Sequence, residues 1–224
     1  MRLRTGPDEA AVIEAYRAID RGAAVHARVR AATCPFDGVM RAVPRQGAVL
    51  DLGCGHGLLS LLLAMETAER AVTGVDLDEP KLEIARSTAS RLEVNVRFLS
   101  SEAAVFAADS WDAIVVVDVL YLLGRTDALA LLGAAASALR PGGSLIVKEI
   151  STRPRWKYLL AVAQERLATG PLRITQGAGV AFLDPNEIES AMLQAGLAVE
   201  RTALDKWYPH PHQLFTGRSP GGCA

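Results

Sequence analysis

The chain is poor in cysteine. Its three, Cys34, Cys54 and Cys223, form no C-x-x-C pair, which offers neither a disulfide framework nor a zinc site. Long apolar runs are also missing. The most apolar stretches, residues 58–65 and 113–123, fall short of the ~20 residues a helix needs to cross a bilayer, so no stable membrane insertion is expected. The opening "MRLRTGPDEA" runs into charged, amphipathic sequence and lacks the apolar centre of a signal peptide; the expected location is cytoplasmic. Charge of one sign is not in excess either: 24 Lys and Arg against 25 Asp and Glu leave a net charge of -1, with no overall pull toward nucleic acid or an anionic membrane. The four histidines and the carboxylates show no ligand spacing, and no metal is expected.

What is present is ordinary for a globular protein: half the residues are hydrophobic and 22% are charged. The length of 224 residues suits one large domain with a two-faced core. Residues 8–32 mix apolar and polar positions at helical spacing and read as one or two helices. "TCPFDGVMRAVPRQG" carries a short helix into a loop. An alternation then begins. "AVLDLG", "AVTGVDLD", "NVRFLS", "WDAIVVVDVLYL" and "SLIVKEI" read as strands, and "LLSLLLAMETAER", "EPKLEIARSTASRLE" and "DALALLGAAASALRPGG" as helices. The fourth strand is nearly all apolar and therefore covered on both faces. This rhythm predicts a doubly wound parallel sheet with right-handed crossovers.

The last third departs from it. "PRWKYLLAVAQERLATG" reads as a helix, and "DPNEIESAMLQAG" as another, with Asp184 as N-cap, Pro185 in the first turn and Gly196 past the end. "LAVERTALD" and "HQLFTGR" are strands joined by the bend "KWYPHP", too short a link for a parallel crossover, so they form an antiparallel pair. The expected architecture is an α/β, doubly wound seven-stranded sheet, Rossmann-like, with a final antiparallel strand and N-terminal helices. Within the single domain 1–224, residues 1–46 form a helical cap, 47–150 a ligand-binding core, 151–196 a helical lid and 197–218 the terminal hairpin.

The sharpest motif is "VLDLGCGHG", residues 49–57. Gly53, Gly55 and Gly57 follow a strand and open a helix, where glycine permits tight turns and close ligand approach and the helix N-terminus presents its N–H groups. Asp76 ends the second strand, placed to accept hydrogen bonds from both hydroxyls of a ribose. The pattern is not the dinucleotide fingerprint G-x-G-x-x-G, because Leu58 stands where its third glycine would fall. Asp51, just before the loop, would sit awkwardly beside a pyrophosphate but suits a ligand bearing an amine or sulfonium.

These motifs resemble, in order from about residue 49 to 149, those of the class I S-adenosylmethionine-dependent methyltransferases. "VLDLGCGHG" is similar to their first motif and "GVDLD" to their acidic second-strand motif. "FLSSEA" and "SWDAIVVVDVLYLL" are similar to their third and fourth strands, and "ALRPGGSLIVKE" to the helix-turn-strand that ends their common core. The resemblance implies S-adenosyl-L-methionine as cofactor. Asp51, Gly53, Cys54, Gly55 and Gly57 would hold its methionine part, Asp76 its ribose, and Leu77 its adenine face. Glu102, with Ser101 and Ala103 as alternatives, would meet the adenine amino group, and Asp118 would face the reactive end.

Ligands of doubly wound sheets bind at the carboxyl ends of the strands, and in the family's topology "KWYPHP" lies on that edge. His212 and His210 are therefore candidates for a base that removes the acceptor's proton. Tyr16, His26, Tyr121, Glu149 and Tyr208 are candidates to line the acceptor pocket. The expected activity is methyl transfer to a small molecule, at oxygen, with an aromatic, lipid-like or carrier-bound acceptor; no nucleic-acid partner is expected. The competing readings are a nicotinamide-dependent oxidoreductase and a non-catalytic module that binds S-adenosylmethionine.

Overall fold

Two-residue alternation with apolar side chains on both faces organises the central strands. On β1 (Gly47–Leu52) Val49 joins one core while Leu50 and Leu52 join another. On β4 (Trp111–Val117) Ala113 and Val115 go to the first core, Ile114 and Val116 to the second. A strand that is apolar on both sides needs helices on both sides, and the chain supplies them. The structure, a computed structural model, describes residues 7–100, 105–107, 110–150, 183–204 and 211–221.

The remaining strands are β2 (Arg70–Val75), β3 (Val96–Leu99), β5 (Leu139–Ile150), β6 (Ala198–Ala203) and β7 (His212–Arg218). They form one seven-stranded sheet in the order β3-β2-β1-β4-β5-β7-β6. Every pairing from β3 across to β5 is parallel, and β7 inserts antiparallel between β5 and β6. This is the doubly wound, Rossmann-like architecture with the antiparallel close that the strand pattern predicts.

Helices α1 (Pro7–Ile19), α2 (Arg21–Thr33), α3 (Phe36–Ala42), α4 (Leu58–Glu66) and α5 (Glu79–Leu92) contribute, among others, Val12, Tyr16, Ala27, Val39, Leu61 and Leu82 to the first core. On the opposite face α6 (Arg125–Ser137) and α7 (Pro185–Gln194) bring Leu132, Ile188 and Met192 into the second core with Phe215. Local signals set the helix ends. Asp184 and Glu187 make a reciprocal capping box at α7, and Gly196 takes φ +84° beyond its end. Asp78 caps α5 by accepting from the Lys81 N–H, so it is a helix cap.

Among the boundaries that differ from the sequence pattern are those of the fourth and fifth strands. The fourth strand stops at Val117, because Asp118 turns to φ +57° and residues Leu120–Leu122 wind into a 3-10 turn. Apolar composition has the same signature in a buried strand and in a buried turn, so periodicity runs on through "VLYL". The fifth strand starts earlier, at Leu139, with its register shifting between Trp111 and Ala113 as the Pro141-Gly142-Gly143 segment passes. Among the described residues no helix is long and apolar enough to cross a membrane.

Candidate active site

The carboxyl ends of β1, β2, β4 and β5 meet at one edge, and α1 and α2 pack beside it. The glycine loop after β1 is held by two N–H groups, those of Gly53 and Cys54, both donating to the Val75 carbonyl at 2.8 and 2.9 Å. All three glycines have positive φ, +71°, +56° and +81° in order. Their surroundings differ. A Cβ on Gly53 would collide with Val119 Cγ2 and one on Gly57 would lie 2.7 Å from Phe98 Cζ, whereas one on Gly55 would meet nothing within 4 Å. Gly53 and Gly57 are thus required by packing, and Gly55 lines open space, a candidate cradle. Gly57→Ala is expected to destabilise the protein by about 1–3 kcal/mol from left-handed strain and overpacking. Gly55→Ala should show only the strain in a thermal melt but should cut ligand affinity in a titration, since its methyl enters the cradle. Equal effects of the two on affinity and melting would refute this division.

Two carboxylates flank the loop. Asp51 is buried and its Oδ2 accepts from Ser60 Oγ at 2.6 Å. Burial pushes its carboxyl up to about 7; nearby Asp76 adds to this, while the Ser60 hydrogen bond opposes it. A cationic ligand group at the loop would restore its ionisation. Asp76 is half-buried, with Oδ2 accepting from the Gly55 N–H at 2.7 Å and Oδ1 from the Asp78 N–H at 2.9 Å. Each oxygen keeps a second lone pair, so both can receive a hydroxyl without releasing the backbone. Leu77, 75% exposed, offers an apolar face beside them. Cys54 is a free thiol that burial, then Asp51 and Asp76, push up, away from thiolate chemistry.

The cap helices touch this loop. The Tyr16 hydroxyl, fully buried, donates to the His56 carbonyl at 2.5 Å, so it ties α1 to the glycine loop. Burial, then Cys54 and Asp51, push that phenol up. The His26 ring on α2 lies 5.1 Å from the His56 ring. His56 Nδ1 is buried with no hydrogen-bond partner among the described residues, and burial, then Lys81, hold the imidazole below its usual value.

On the β4–β5 side the structure assembles a cluster that local sequence patterns do not reveal. The Asp118 carboxylate accepts from Lys148 Nζ at 2.6 and 2.7 Å and from Arg30 Nη1 at 2.6 Å. Burial alone would raise the Asp118 carboxyl, but Lys148 and then Arg30 outweigh it and hold it far below the ordinary range. Lysine inside the apolar run "SLIVKEI" is a legible signal, because a buried ammonium needs an anion. Arg30, 88 positions from Asp118, carries none. Glu149 Oε1 accepts from the Val119 and Leu120 N–H groups at 3.0 and 2.8 Å, holding the 3-10 turn on which Tyr121 sits half-buried. Burial, then Asp118, push its carboxyl up to about 8.

The raised Glu149 value has a definite sign for stability. The folded state keeps its proton where the unfolded chain, with a carboxyl near about 4.3, has lost it. Stability therefore falls as pH rises from about 4 toward about 8. Glu149→Gln keeps a carbonyl acceptor for the two N–H groups and should be more stable than wild type near pH ~8, on the order of 1–3 kcal/mol, with no such gain near pH ~4. Urea unfolding at the two pH values checks it; a gain confined to the acidic side would refute it.

His212 opens β7 opposite Ile150 and is 1% exposed. Its Nε2 lies 2.8 Å from the Thr33 carbonyl; since that oxygen only accepts, Nε2 carries the proton and the ring fastens β7 to the end of α2. Ser101, Glu102, Ala103, Tyr208 and His210, together with Trp156, Tyr158 and Trp207 and residues 151–182 of the expected lid, lie outside the described residues.

The geometry is a glycine cradle with two carboxylates, facing a cation-rich cluster across one sheet edge. Residues 49–143 match the family model described as a methyltransferase domain. The ubiquinone biosynthesis O-methyltransferase of Saccharophagus degradans is 30% identical over 161 residues, which is 71% of this chain and 67% of that protein. The protein of the same name from Xanthomonas axonopodis pv. citri is 34% identical over 163 residues, 71% of this chain and 66% of that one. Across these curated relatives the chain spans between 59 and 71% of their length. In fold it is similar to an O-methyltransferase family protein from Burkholderia thailandensis, with TM-score 0.70 and 20% identity over 92% of this chain and 63% of that one. It is also similar to a magnesium protoporphyrin IX methyltransferase from Synechocystis with bound SAH, with TM-score 0.63 and 19% identity over 82% and 81%. The family's cofactor, S-adenosylmethionine, matches the carboxylate-flanked loop better than a pyrophosphate would. The chain belongs to the class I S-adenosylmethionine-dependent methyltransferases.

Proposed function

We propose that this enzyme methylates an oxygen of a small molecule, with an aromatic, lipid-like or carrier-bound acceptor. The observation that carries the cofactor half is the pairing of an open cradle at Gly55 with the carboxylates of Asp51 and Asp76. The acceptor half draws on the relatives, which are named O-methyltransferases. Asp76 would receive the ribose hydroxyls and Leu77 the adenine face. Asp51 and the loop backbone would hold the methionine part, with Cys54 only a small residue of that loop. Ser101, Glu102 and Ala103 remain proposals for the adenine amino group. When bound, S-adenosylmethionine supplies a methyl group activated by a positive sulfur. The protein's own share is to hold the acceptor oxygen in line and exclude water. The hydrogen bonds that tie the α1–α2 pair to the glycine loop through Tyr16 and to β7 through His212 support a share for this pair in the second.

Deprotonation of the acceptor remains with the histidines of the terminal bend. With Nε2 donating to Thr33, a base role for His212 would run through Nδ1. Calorimetric titration with S-adenosylmethionine, S-adenosylhomocysteine and NAD tests the reading, followed by mass-spectrometric screening of phenols, hydroxy acids and lipid quinols for a methyl gain. Binding of NAD alone would sink it, and so would methylation confined to nitrogen acceptors. An unchanged pH profile of turnover in both His212→Ala and His210→Ala would remove histidine from the mechanism.

A further inference from the structure

The cluster at the ends of β4 and β5 pairs its charges unevenly. Lys148, whose side chain is 0% exposed, and Arg30 share the single carboxylate of Asp118. Glu149, the acid beside Lys148 on β5, turns its Oε1 to the Val119 and Leu120 N–H groups and forms no ion pair with either cation among the described residues; burial and then Asp118 push its carboxyl up. Among the described residues Asp118 is therefore the one carboxylate paired with the two cations. A cation only partly open to water and sharing its carboxylate gains from a further anion.

Arg30 is the member that has donors left. Of its five N–H donors, one goes to Asp118 and one makes a long contact of 3.8 Å to Cys34 Sγ. The others have no partner among the described residues. The guanidinium lies against the Phe36 ring, 5.6 Å from its centroid, and 26% of the side chain is open. A planar fork held from below by Asp118 and flanked by an aromatic ring is the geometry that receives a carboxylate or a phenolate side-on. Asp118 itself stands in the left-handed region at φ +57°, an unfavourable conformation of the kind that gathers at functional sites.

We propose that Arg30 is the anion-recognition residue of the acceptor pocket. The acceptor is then a small acid carrying a carboxylate or an ionised phenol oxygen. Asp118 and Lys148 act as positioning residues: Lys148 engages both oxygens of the Asp118 carboxylate and shares Oδ2 with Arg30, so the Arg30 charge is only partly cancelled and stays available. The identification of this pocket as the acceptor's rests on the methyltransferase reading; the anion site itself does not.

The test uses the full chain with S-adenosylhomocysteine present and three aromatic probes of similar size. Benzoate is a fixed anion, 4-nitrophenol an oxygen whose ionisation is visible by absorbance, and benzyl alcohol a neutral control. The expected result is that at least one anion binds about ten- to hundred-fold more tightly than benzyl alcohol, and that Arg30→Gln abolishes the preference with little change for the alcohol. Arg30→Lys should restore part of it, since charge returns without the fork. A merely structural Arg30 would weaken all three probes alike. Preference for benzoate alone assigns a carboxylate-bearing acceptor. A phenolate band from bound 4-nitrophenol, below the pH at which the free phenol ionises, assigns an ionised acceptor oxygen.

Thermal melts of each variant report folding. If Arg30→Gln does not fold, added chloride on the wild type should weaken the anions and spare the alcohol. Equal affinity for anions and alcohol in the wild type, or a preference that survives both Arg30→Gln and chloride, overturns the proposal. S-adenosylhomocysteine affinity is read in the same titrations. Its absence would count against the methyltransferase reading and leave the anion preference to stand or fall separately.

Discussion

Asp76→Ala is expected to weaken S-adenosylmethionine binding by about 100-fold or more while the protein stays folded. Its carboxylate is oriented before any ligand arrives, by the Gly55 and Asp78 N–H groups. Two hydroxyls donating to an ionised carboxylate are each worth roughly 1.5–3 kcal/mol, and both are lost together in the variant. The Gly55 N–H loses its acceptor as well, so the cradle is held less firmly. Half-burial at the sheet edge lets water take up the freed N–H groups, which keeps the cost to folding near about 1 kcal/mol. Calorimetric titration measures the affinity and a thermal melt the fold. Unchanged affinity in a well-folded variant would mean that the cofactor site is misplaced.

Asp118→Asn should produce the largest loss of stability, about 3–5 kcal/mol. Breaking a buried ion pair from one side leaves the partner charge uncompensated, and here two cations, Lys148 and Arg30, lose the same anion. Asparagine is the informative substitution because it tolerates the φ of +57°, so the loss reports charge and not backbone strain. Adding Lys148→Met to Asp118→Asn should recover part of the loss, as removing both partners of a buried pair is far milder than removing one.

The sign with pH comes from the depressed Asp118 carboxyl. Its contribution is complete above the ordinary carboxylate range and disappears as pH falls through its folded value. Asp51 and Glu149, both raised, act in the opposite sense and weaken the fold as pH rises toward neutrality and beyond. The wild type should therefore be most stable at mildly acidic pH, and Asp118→Asn should remove the acid-side loss. Urea unfolding across pH decides it; an acid limb of unchanged steepness in the variant would show that other carboxylates carry it.

Local chemistry made most of the fold legible. The order of strands and helices, the antiparallel close, the capping of α7 and the glycine loop all follow from patterns contained within about twenty residues: a period of two or 3.6, a cap, a proline, a left-handed glycine. Asp76 belongs to the same class, because a strand end and an acid define its position without knowledge of the rest. The end of β4 does not, since "VLYL" is equally apolar as strand or as turn, and only the φ of Asp118 separates them.

The β4–β5 side was legible only in its parts. Asp118, Glu149, Tyr16 and His212 stand out by residue type, yet what each touches depends on elements far away in the chain. Tyr16 meets the His56 carbonyl, 40 positions on. His212 meets Thr33, 179 positions back. Glu149 holds two backbone N–H groups of the turn after β4. Arg30 does not stand out at all, because an arginine on an amphipathic helix is ordinarily a solvated one.

By itself, then, the sequence determined a doubly wound sheet with a glycine loop and a strand-end carboxylate at one edge, since hydrophobic period and backbone freedom act between near neighbours. Only the tertiary structure decided that Arg30, Asp118 and Lys148 share one low-dielectric site. Charge pairing and desolvation depend on distance in space, and the distance between residues 30, 118 and 148 is set by how β4, β5 and α2 pack.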